Sequence, residues 1–327
     1  MLLEGRSWGK WKMNAKALES FVQLLYIRGM VEREQILLEA VRAVRTCQSL
    51  HNRQESISDT AEGKDCLFAE MQSVSKADDM GHFPGDREFF YNLYTAACEL
   101  DLIELLLKSG RNDRSGMLAP AYLVEYLAGE ITNDTSRVLL AEAEKFAEGL
   151  QKVIENNPNV EFTLTTEKKV LYLLLQTAFS QSHNVRVLHQ SIYRELLYKD
   201  RYYDVLITLP VFGGRTSPDE SGKTISRDSE CIAVENLIRH LGERGRLLAV
   251  LPAKVTFAGG PVQEFRQWIM TDYHLAAMTA LPEGILRPYA AIKTYLMAFD
   301  AKATSGVTVG KIVDENGKLT VKQKHWV

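Results

Sequence analysis

The 327-residue sequence has few of the residues that build disulfide frameworks or metal sites. Its four cysteines (Cys47, Cys66, Cys98 and Cys231) are far apart and include no CxxC pair. Such spacing is typical of reduced cysteines that pack in the interior of a cytoplasmic protein. The seven histidines are scattered without ligand spacing, so we predict no metal site.

Long apolar runs and an excess of positive charge are also missing. No run is long enough to cross a membrane, and the first residues lack the pattern of a signal peptide, so we predict a cytoplasmic protein without a membrane partner. The formal net charge is −3, so a global basic field that would attract nucleic acid is excluded. Any contact with DNA would depend on a local basic patch.

The N-terminal third has the periodicity of helices. Apolar residues recur at three- and four-residue steps from Leu18 to Leu50, with a predicted break at Gly29, and again from Glu88 to Ser109. The polar residues 51–66 predict a loop, and the composition of residues 111–116 predicts a domain boundary. We therefore predict a helical N-terminal region over residues 1–110, in which no pattern indicates chemistry.

From Pro120 onward, short apolar segments typical of strands alternate with helical segments. Such alternation is the pattern of a mostly parallel sheet with helices on both faces, so we predict a doubly wound α/β domain over residues 111–327. The predicted strands are 137–140, 160–165, 185–189, 203–208, 246–251, 275–281 and 293–299. The predicted helices are 142–154, 167–179, 230–241 and 261–270, and a β-hairpin with an Asn-Gly turn is expected over residues 307–321.

One stretch, Asp204 to Gly214, joins an apolar β-branched strand to a loop of proline, phenylalanine and glycine. Pro210 cannot continue a central strand because proline has no N–H for the ladder. The loop is therefore expected at the carboxyl edge of the sheet, where open α/β folds bind their ligands. A structural loop with an aromatic plug would explain the same residues, so this stretch alone leaves both interpretations open.

Three segments downstream carry a resemblance to a known family: Gly245–Pro252, Leu281–Tyr289 and Lys293-Thr294. They resemble the adenine-specific N6 DNA methyltransferases, and in particular the modification subunits of type I restriction-modification systems. The resemblance covers roughly residues 116–300. It implies a class I S-adenosylmethionine (SAM) methyltransferase-like, Rossmann-like fold with seven strands, the last of them antiparallel. It also implies SAM as cofactor, and as partners DNA, a specificity or restriction subunit, or a second copy of the chain.

The catalytic motif that this resemblance implies is altered. In the family, Asn-Pro-Pro-Phe follows the fourth strand; the Asn side chain and a proline carbonyl hold the amine of a flipped-out adenine, and the Phe stacks on the base. The matching positions here are Leu209, Pro210, Val211 and Phe212. Because leucine cannot accept a hydrogen bond, the amine would lose one of its two acceptors.

The positions implied for the cofactor are altered too. The family's first strand ends in Asp-Pro-Ala-Cys-Gly-Ser-Gly, whose glycines let the backbone approach SAM closely. Here Leu140 stands at the Asp position, and the run that follows, which includes Glu142, has no glycine before Gly149. Glu167 lies slightly late for the acid that would bind the ribose, and Gln190 replaces the Asp expected at the adenine of SAM. We therefore predict weak or absent SAM binding.

A polar, glycine-rich loop after Phe212 carries three cations, Arg215, Lys223 and Arg227. They could contact DNA phosphates, although most such loops are only solvated.

Three functions remain open at this point, and with them whether the chain is an enzyme. The first is a restriction-modification DNA methyltransferase-like protein that has lost or weakened methyl transfer and acts as a DNA- or partner-binding module. The second is an active adenine-specific DNA methyltransferase with divergent motifs, and the third is a structural assembly subunit. SAM binding separates the first from the second, and DNA affinity separates the first from the third.

Overall fold

The computed structural model describes residues 15–110, 117–194, 196, 202–216, 224–302, 306–315 and 318–326. These residues form two compact units. The first contains the described residues up to Gly110 together with Leu173–Gln181, and the second contains the described residues from Met117 to Tyr172 and from Ser182 onward. The predicted boundary at residues 111–116 lies outside the described residues.

The first unit is helical, with α1 (Ala15–Ile27), α2 (Arg33–Asn52), α3 (Ala61–Ala77), α4 (Arg87–Ala97) and α5 (Leu102–Gly110). The loop predicted over residues 51–66 is present but shorter, covering residues 53–60, because α2 ends at residue 52 and α3 begins at residue 61. The start of α3 is determined by a cap: the Thr60 hydroxyl accepts the N–H of Gly63 at 3.1 Å.

The predicted helical block from residue 88 to 109 is in fact the two helices α4 and α5. Each begins at an aspartate. The Asp86 carboxylate accepts the N–H of Phe89 at 2.8 Å, and the Asp101 carboxylate accepts the N–H of Ile103 at 2.8 Å. A side-chain acceptor for the first free N–H groups is what starts a new helix at each point.

The second unit contains a nine-stranded sheet in the order β3-β2-β1-β4-β5-β7-β6-β8-β9. The strands are β1 (Arg137–Ala141), β2 (Glu161–Thr166), β3 (Val185–His189), β4 (Tyr203–Thr208), β5 (Leu241–Pro252), β6 (His274–Ala280), β7 (Thr294–Asp300), β8 (Val307–Glu315) and β9 (Lys318–Trp326). The first five are parallel to one another, and β7 is antiparallel to both β5 and β6.

The seven predicted strands are therefore present, and the expected hairpin is present as the antiparallel pair β8–β9. Instead of standing apart, this hairpin extends the sheet from seven strands to nine, because β8 pairs in parallel with β6.

The helices of the second unit connect these strands. They are α6 (Ala121–Ala128), α7 (Ala147–Asn156), α8 (Lys169–Ala178, which continues into the first unit), α9 (Ser229–Ile238), α10 (Lys254–Phe257) and α11 (Pro261–Asp272). Helices α9 and α11 bury apolar side chains such as Val234 and Phe265 in one cluster with Leu206 and Leu247 of the sheet. Within the described ranges, no helix combines the length and the apolar character needed to cross a bilayer.

The parallel strands end at one common edge of the sheet. The register places Leu140 of β1 beside Leu164 of β2 and Ile207 of β4, and Thr208 beside Ala249 of β5. The turns that follow β1, β2, β3 and β4 therefore leave the sheet side by side. This carboxyl edge is where ligand sites of open α/β folds are built.

Candidate cofactor and substrate site

The turn after β1 differs from the helix predicted to start at residue 142. Glu142 has left-handed backbone angles (φ 53°, ψ 57°), a short 3-10 helix covers Ala143–Phe146, and α7 begins only at Ala147. Glycine usually occupies left-handed backbone conformations, because a residue with a Cβ atom is strained at these angles. Here the sharp turn is made by a glutamate, so contacts of that side chain must hold the conformation.

Those contacts form what we call the Lys145 network. The Glu142 carboxylate accepts hydrogen bonds from Lys145 Nζ at 2.7 Å and from the Tyr193 hydroxyl at 2.9 Å. Lys145 Nζ also donates to the backbone carbonyl of Leu209 at 2.8 Å. The Tyr193 oxygen in turn accepts the backbone N–H of Val211 at 2.8 Å. The network thus connects the turn after β1 directly to the loop after β4.

Both charged members of the network are buried, with exposed fractions of 6 % for Glu142 and 4 % for Lys145. A buried ion pair is stable only when its remaining donors and acceptors are satisfied, as they are here by Tyr193 and the Leu209 carbonyl. Burial, followed by the negative charge of Glu142, raises the pKa of Tyr193 well above its ordinary value. The phenol therefore stays protonated and serves as a donor to the carboxylate.

The residues present do not fit the glycine-lined cradle that SAM would need. Leu140, at the position implied for an acid, is a buried residue of β1 paired with β2 and β4, and its side chain belongs to the core. In the turn itself, where close backbone approach would be required, the side chains of Glu142 and Lys145 are packed against Tyr193 and Leu209.

The other two residues predicted for the cofactor lie farther along the same edge. Glu167 follows β2 and is exposed, and its carbonyl lies 2.8 Å from Nε2 of His189. Gln190 follows β3, and its N–H donates to the carbonyl of Thr166 at 2.9 Å. The structure therefore places Glu142, Glu167 and Gln190 at the ends of three neighbouring strands, while Leu140 stays inside the sheet.

Glu144 lies in the same turn, within the 3-10 helix, and the sequence indicated only that its side chain stands where the family keeps space. Burial and, to a smaller extent, the nearby charge of Glu142 raise the pKa of Glu144 to about 7. Among the described residues, its Oε2 atom has no hydrogen-bond partner. A carboxyl group in such surroundings is more stable in its protonated form.

The loop after β4 places the four residues of the altered motif in two environments. Leu209 and Pro210 are buried, and the Leu209 side chain belongs to the apolar core. Val211 is 40 % exposed and Phe212 is partly exposed. Glu230 of α9 stabilises the loop, because its carboxylate accepts the N–H of Gly213 at 3.2 Å. An aromatic ring is thus available at the carboxyl edge, whereas Leu209, at the position that the resemblance assigns to the amine acceptor, has a hydrocarbon side chain.

Two of the three cations predicted to contact phosphates, Arg215 and Arg227, lie in the described part of the chain. Arg215 is exposed (81 % of its side chain) and its Nε lies 3.4 Å from the Asp228 carboxylate. Arg227 is also exposed, and its carbonyl accepts the N–H of Thr216 at 3.1 Å, which brings the two arginine-bearing segments together. Lys223 lies outside the described residues.

A further cation, Lys254 of α10, was missed from the sequence because no motif marks it. Its Nζ lies 3.1 Å from the carboxylate of Asp228 and 2.9 Å from that of Glu230. Asp228 therefore faces both Lys254 and Arg215, which reduces the positive charge at this loop. In the described part of the chain, no group of three or more His, Cys, Asp or Glu side chains is arranged to hold a metal ion.

The strand order, the antiparallel β7 and the carboxyl-edge loops define a class I SAM-methyltransferase fold with a helical region before it, as predicted. No protein-family model matches the sequence. The chain is 30 % identical over 143 residues to the methylase subunit of the type I restriction enzyme EcoEI from Escherichia coli. That match spans 41 % of this chain and 29 % of the subunit, so less than a third of the relative is covered.

Two solved structures share the fold. The type I restriction-modification methyltransferase subunit from Streptococcus thermophilus superposes with a TM-score of 0.65 at 9 % identity, covering 94 % of this chain and 90 % of that one. A chain from a structural study of complex assembly and conformational transition in a type I restriction-modification system gives a TM-score of 0.64 at 17 % identity, covering 93 % and 77 %. The predicted resemblance to modification subunits of type I systems is thereby confirmed.

Proposed function

We propose that this chain is a methyltransferase-like subunit of restriction-modification type that has lost SAM-dependent methyl transfer and acts as a DNA- or partner-binding module. Its similarity to the EcoEI methylase subunit supports the restriction-modification context. The Lys145 network is the observation that carries the loss of methyl transfer.

Methyl transfer needs a donor and an acceptor held in line, and positioning supplies much of the rate. On the donor side, the turn after β1 contains two buried, mutually bonded side chains where a close backbone approach is required. On the acceptor side, Leu209 offers no side-chain acceptor, and its carbonyl already receives a hydrogen bond from Lys145. Lys145 therefore obstructs the position of the methyl donor and also occupies the Leu209 carbonyl at the position of the methyl acceptor.

The partners follow from the same proposal. The module binds duplex DNA weakly, or binds a specificity subunit, a restriction subunit or a second copy of this chain, in the cytoplasm. The partly exposed Phe212 beside the exposed Arg215 and Arg227 supports a contact with DNA, while the carboxylates of Asp228 and Glu230 limit its strength.

Titration calorimetry with SAM tests the proposal. We expect no heat of binding at micromolar ligand, because the space for the cofactor is taken by the Lys145 network. An active modification subunit with an intact glycine turn, titrated in the same buffer, serves as the positive control. A dissociation constant at or below about 10 μM, roughly −7 kcal/mol, would contradict the loss of the donor site and favour an active enzyme.

A further inference from the structure

Two cysteines that are distant in the sequence meet inside the first unit. Cys47 lies on α2 and Cys98 directly follows α4, and their Sγ atoms are 3.3 Å apart. Both thiols are free. The predicted interior packing holds for Cys47 and Cys231, which are buried, but is wrong for Cys66 and Cys98, which are exposed.

The two thiols differ in access. Cys98 is exposed, whereas Cys47 is buried with 7 % of its surface accessible. The carbonyl of Tyr94, one turn before the end of α4, lies 3.3 Å from the Cys98 sulfur and 3.7 Å from the Cys47 sulfur. This carbonyl keeps both sulfurs on the same side of the helix. The arrangement pairs one thiol that solvent reagents can reach with a second thiol directly behind it.

We propose that Cys47 and Cys98 form a redox-active dithiol that reacts with small-molecule disulfides of the oxidised glutathione class and closes to a disulfide between α2 and the end of α4. The sulfurs need to approach by only about 1.2 Å to reach the length of a disulfide bond, about 2.05 Å. Disulfides of cytoplasmic proteins, where they occur, are mostly transient and redox-sensing.

The reaction proceeds in two exchanges. First, the Cys98 thiolate attacks one sulfur of the small disulfide; the S–S bond breaks, and one small thiolate leaves and takes up a proton. The Cys47 sulfur, after giving up its own proton, then attacks Cys98 Sγ in the mixed disulfide and releases the second small thiol. In sum, two protein thiols are oxidised to one disulfide while one small disulfide is reduced to two thiols.

The electrostatics agree with this order of attack. Hydrogen bonds with the Cys47 thiol and the Tyr94 side chain lower the pKa of Cys98, and the hydrogen bond to Cys98 together with burial raises the pKa of Cys47. The exposed sulfur thus carries more thiolate and is the better nucleophile. Of the two other cysteines, Cys66 is exposed on α3 and makes no thiol contact among the described residues, and burial raises the pKa of Cys231 to about 12.

A chromogenic aromatic disulfide, which releases one coloured thiolate per attack, tests the proposal on the full reduced chain. In Cys66→Ser, which leaves the pair intact, we expect two coloured thiolates per chain and no bound adduct. Proteolysis and mass spectrometry should then find the Cys47 and Cys98 peptides joined, and oxidised glutathione should produce the same link. In Cys66→Ser combined with Cys47→Ser, one thiolate is released and the adduct stays on Cys98.

A stable adduct on Cys98 in Cys66→Ser, with Cys47 still free, would overturn the proposal. Circular dichroism establishes whether the Cys47→Ser variant folds. If it does not fold, the peptide link in the parent and in Cys66→Ser decides the question alone, since that link either forms or does not.

Discussion

At the scale of single residues, Lys145 is the most consequential side chain of the site. Replacing it by methionine removes both of its hydrogen bonds and leaves the buried Glu142 carboxylate without its counter-charge. Breaking a buried pair on one side typically costs about 3–5 kcal/mol. We therefore expect Lys145→Met to lower the free energy of unfolding by that order, measured by urea denaturation.

Lys152→Met is the matched control, since Lys152 lies on α7 and pairs with Glu125 in solvent. An exposed pair of this kind contributes less than about 1 kcal/mol. If both variants lost the same small free energy of unfolding, the Lys145 network would not be what stabilises the turn after β1.

The raised pKa of Glu144 predicts that the stability of the fold depends on pH. Its pKa of about 7 in the folded chain lies above its ordinary value of 4.5, so the unfolded chain releases this proton first. The stability that Glu144 contributes is present below pH 4.5 and is lost as the pH rises through 7. The loss is at most about 3.5 kcal/mol, from about 1.4 kcal/mol per pKa unit.

Urea denaturation across this pH range should show the fall in the parent, and Glu144→Gln should remove it and be the more stable protein above neutral pH. Glu155→Gln, on the exposed side of α7, should follow the parent. A parallel fall in parent and Glu144→Gln would assign the pH dependence to another group.

At the scale of elements, the turn after β1 and the loop after β4 act together. Restoring the family motif by Leu209→Asn with Val211→Pro rebuilds the amine acceptor beside Phe212, but we expect no methyl transfer. Under the proposed function, the Lys145 network still occupies the turn after β1 and obstructs the donor position in this variant. The new proline removes the N–H that Val211 donates to Tyr193, and the new amide enters an apolar interior.

The activity of this double variant is measured as transfer of labelled methyl from SAM to adenine in duplex DNA, with an active modification subunit as reference. Activity should require at least that the turn after β1 is rebuilt with its acid and glycines as well. Clear turnover by the double variant alone would show that this turn does not prevent SAM binding.

At the scale of the whole molecule, the formal net charge of −3 leaves DNA binding to local cations. Duplex affinity should be weak and should fall steeply with salt, because phosphate contacts would dominate. Charge removal at Arg215, Lys223 and Arg227, singly and together, should weaken binding and reduce the salt slope by about 0.9 per lost contact. Fluorescence anisotropy with a labelled duplex measures both quantities.

Lys302→Ala is the control, since Lys302 follows β7 at the opposite edge of the sheet and pairs with Glu243. An affinity that stays the same between low and physiological salt would contradict a phosphate-dominated interface.

The sequence by itself determined the elements whose pattern is local. The strands at residues 185–189 and 203–208 were predicted to the residue. The second strand is almost wholly buried and ends in turn residues, which is the local pattern of a central parallel strand. Where a short polar cap outweighs periodicity, as at Thr60 and Asp101, the same reasoning missed a helix start. The leucine at position 209 and the absence of glycine between Leu140 and Gly149 were likewise visible without any coordinates.

Only the tertiary structure decided which contacts the residues at those positions make. Lys145 reaches Leu209 across 64 residues, and Cys47 reaches Cys98 across 51, and neither pairing has a local signature. Such contacts depend on which strands become neighbours and on how two helices cross, and these are properties of the whole packed chain. The sequence shows that Lys145 follows a strand, but only the fold places its side chain against the loop after β4.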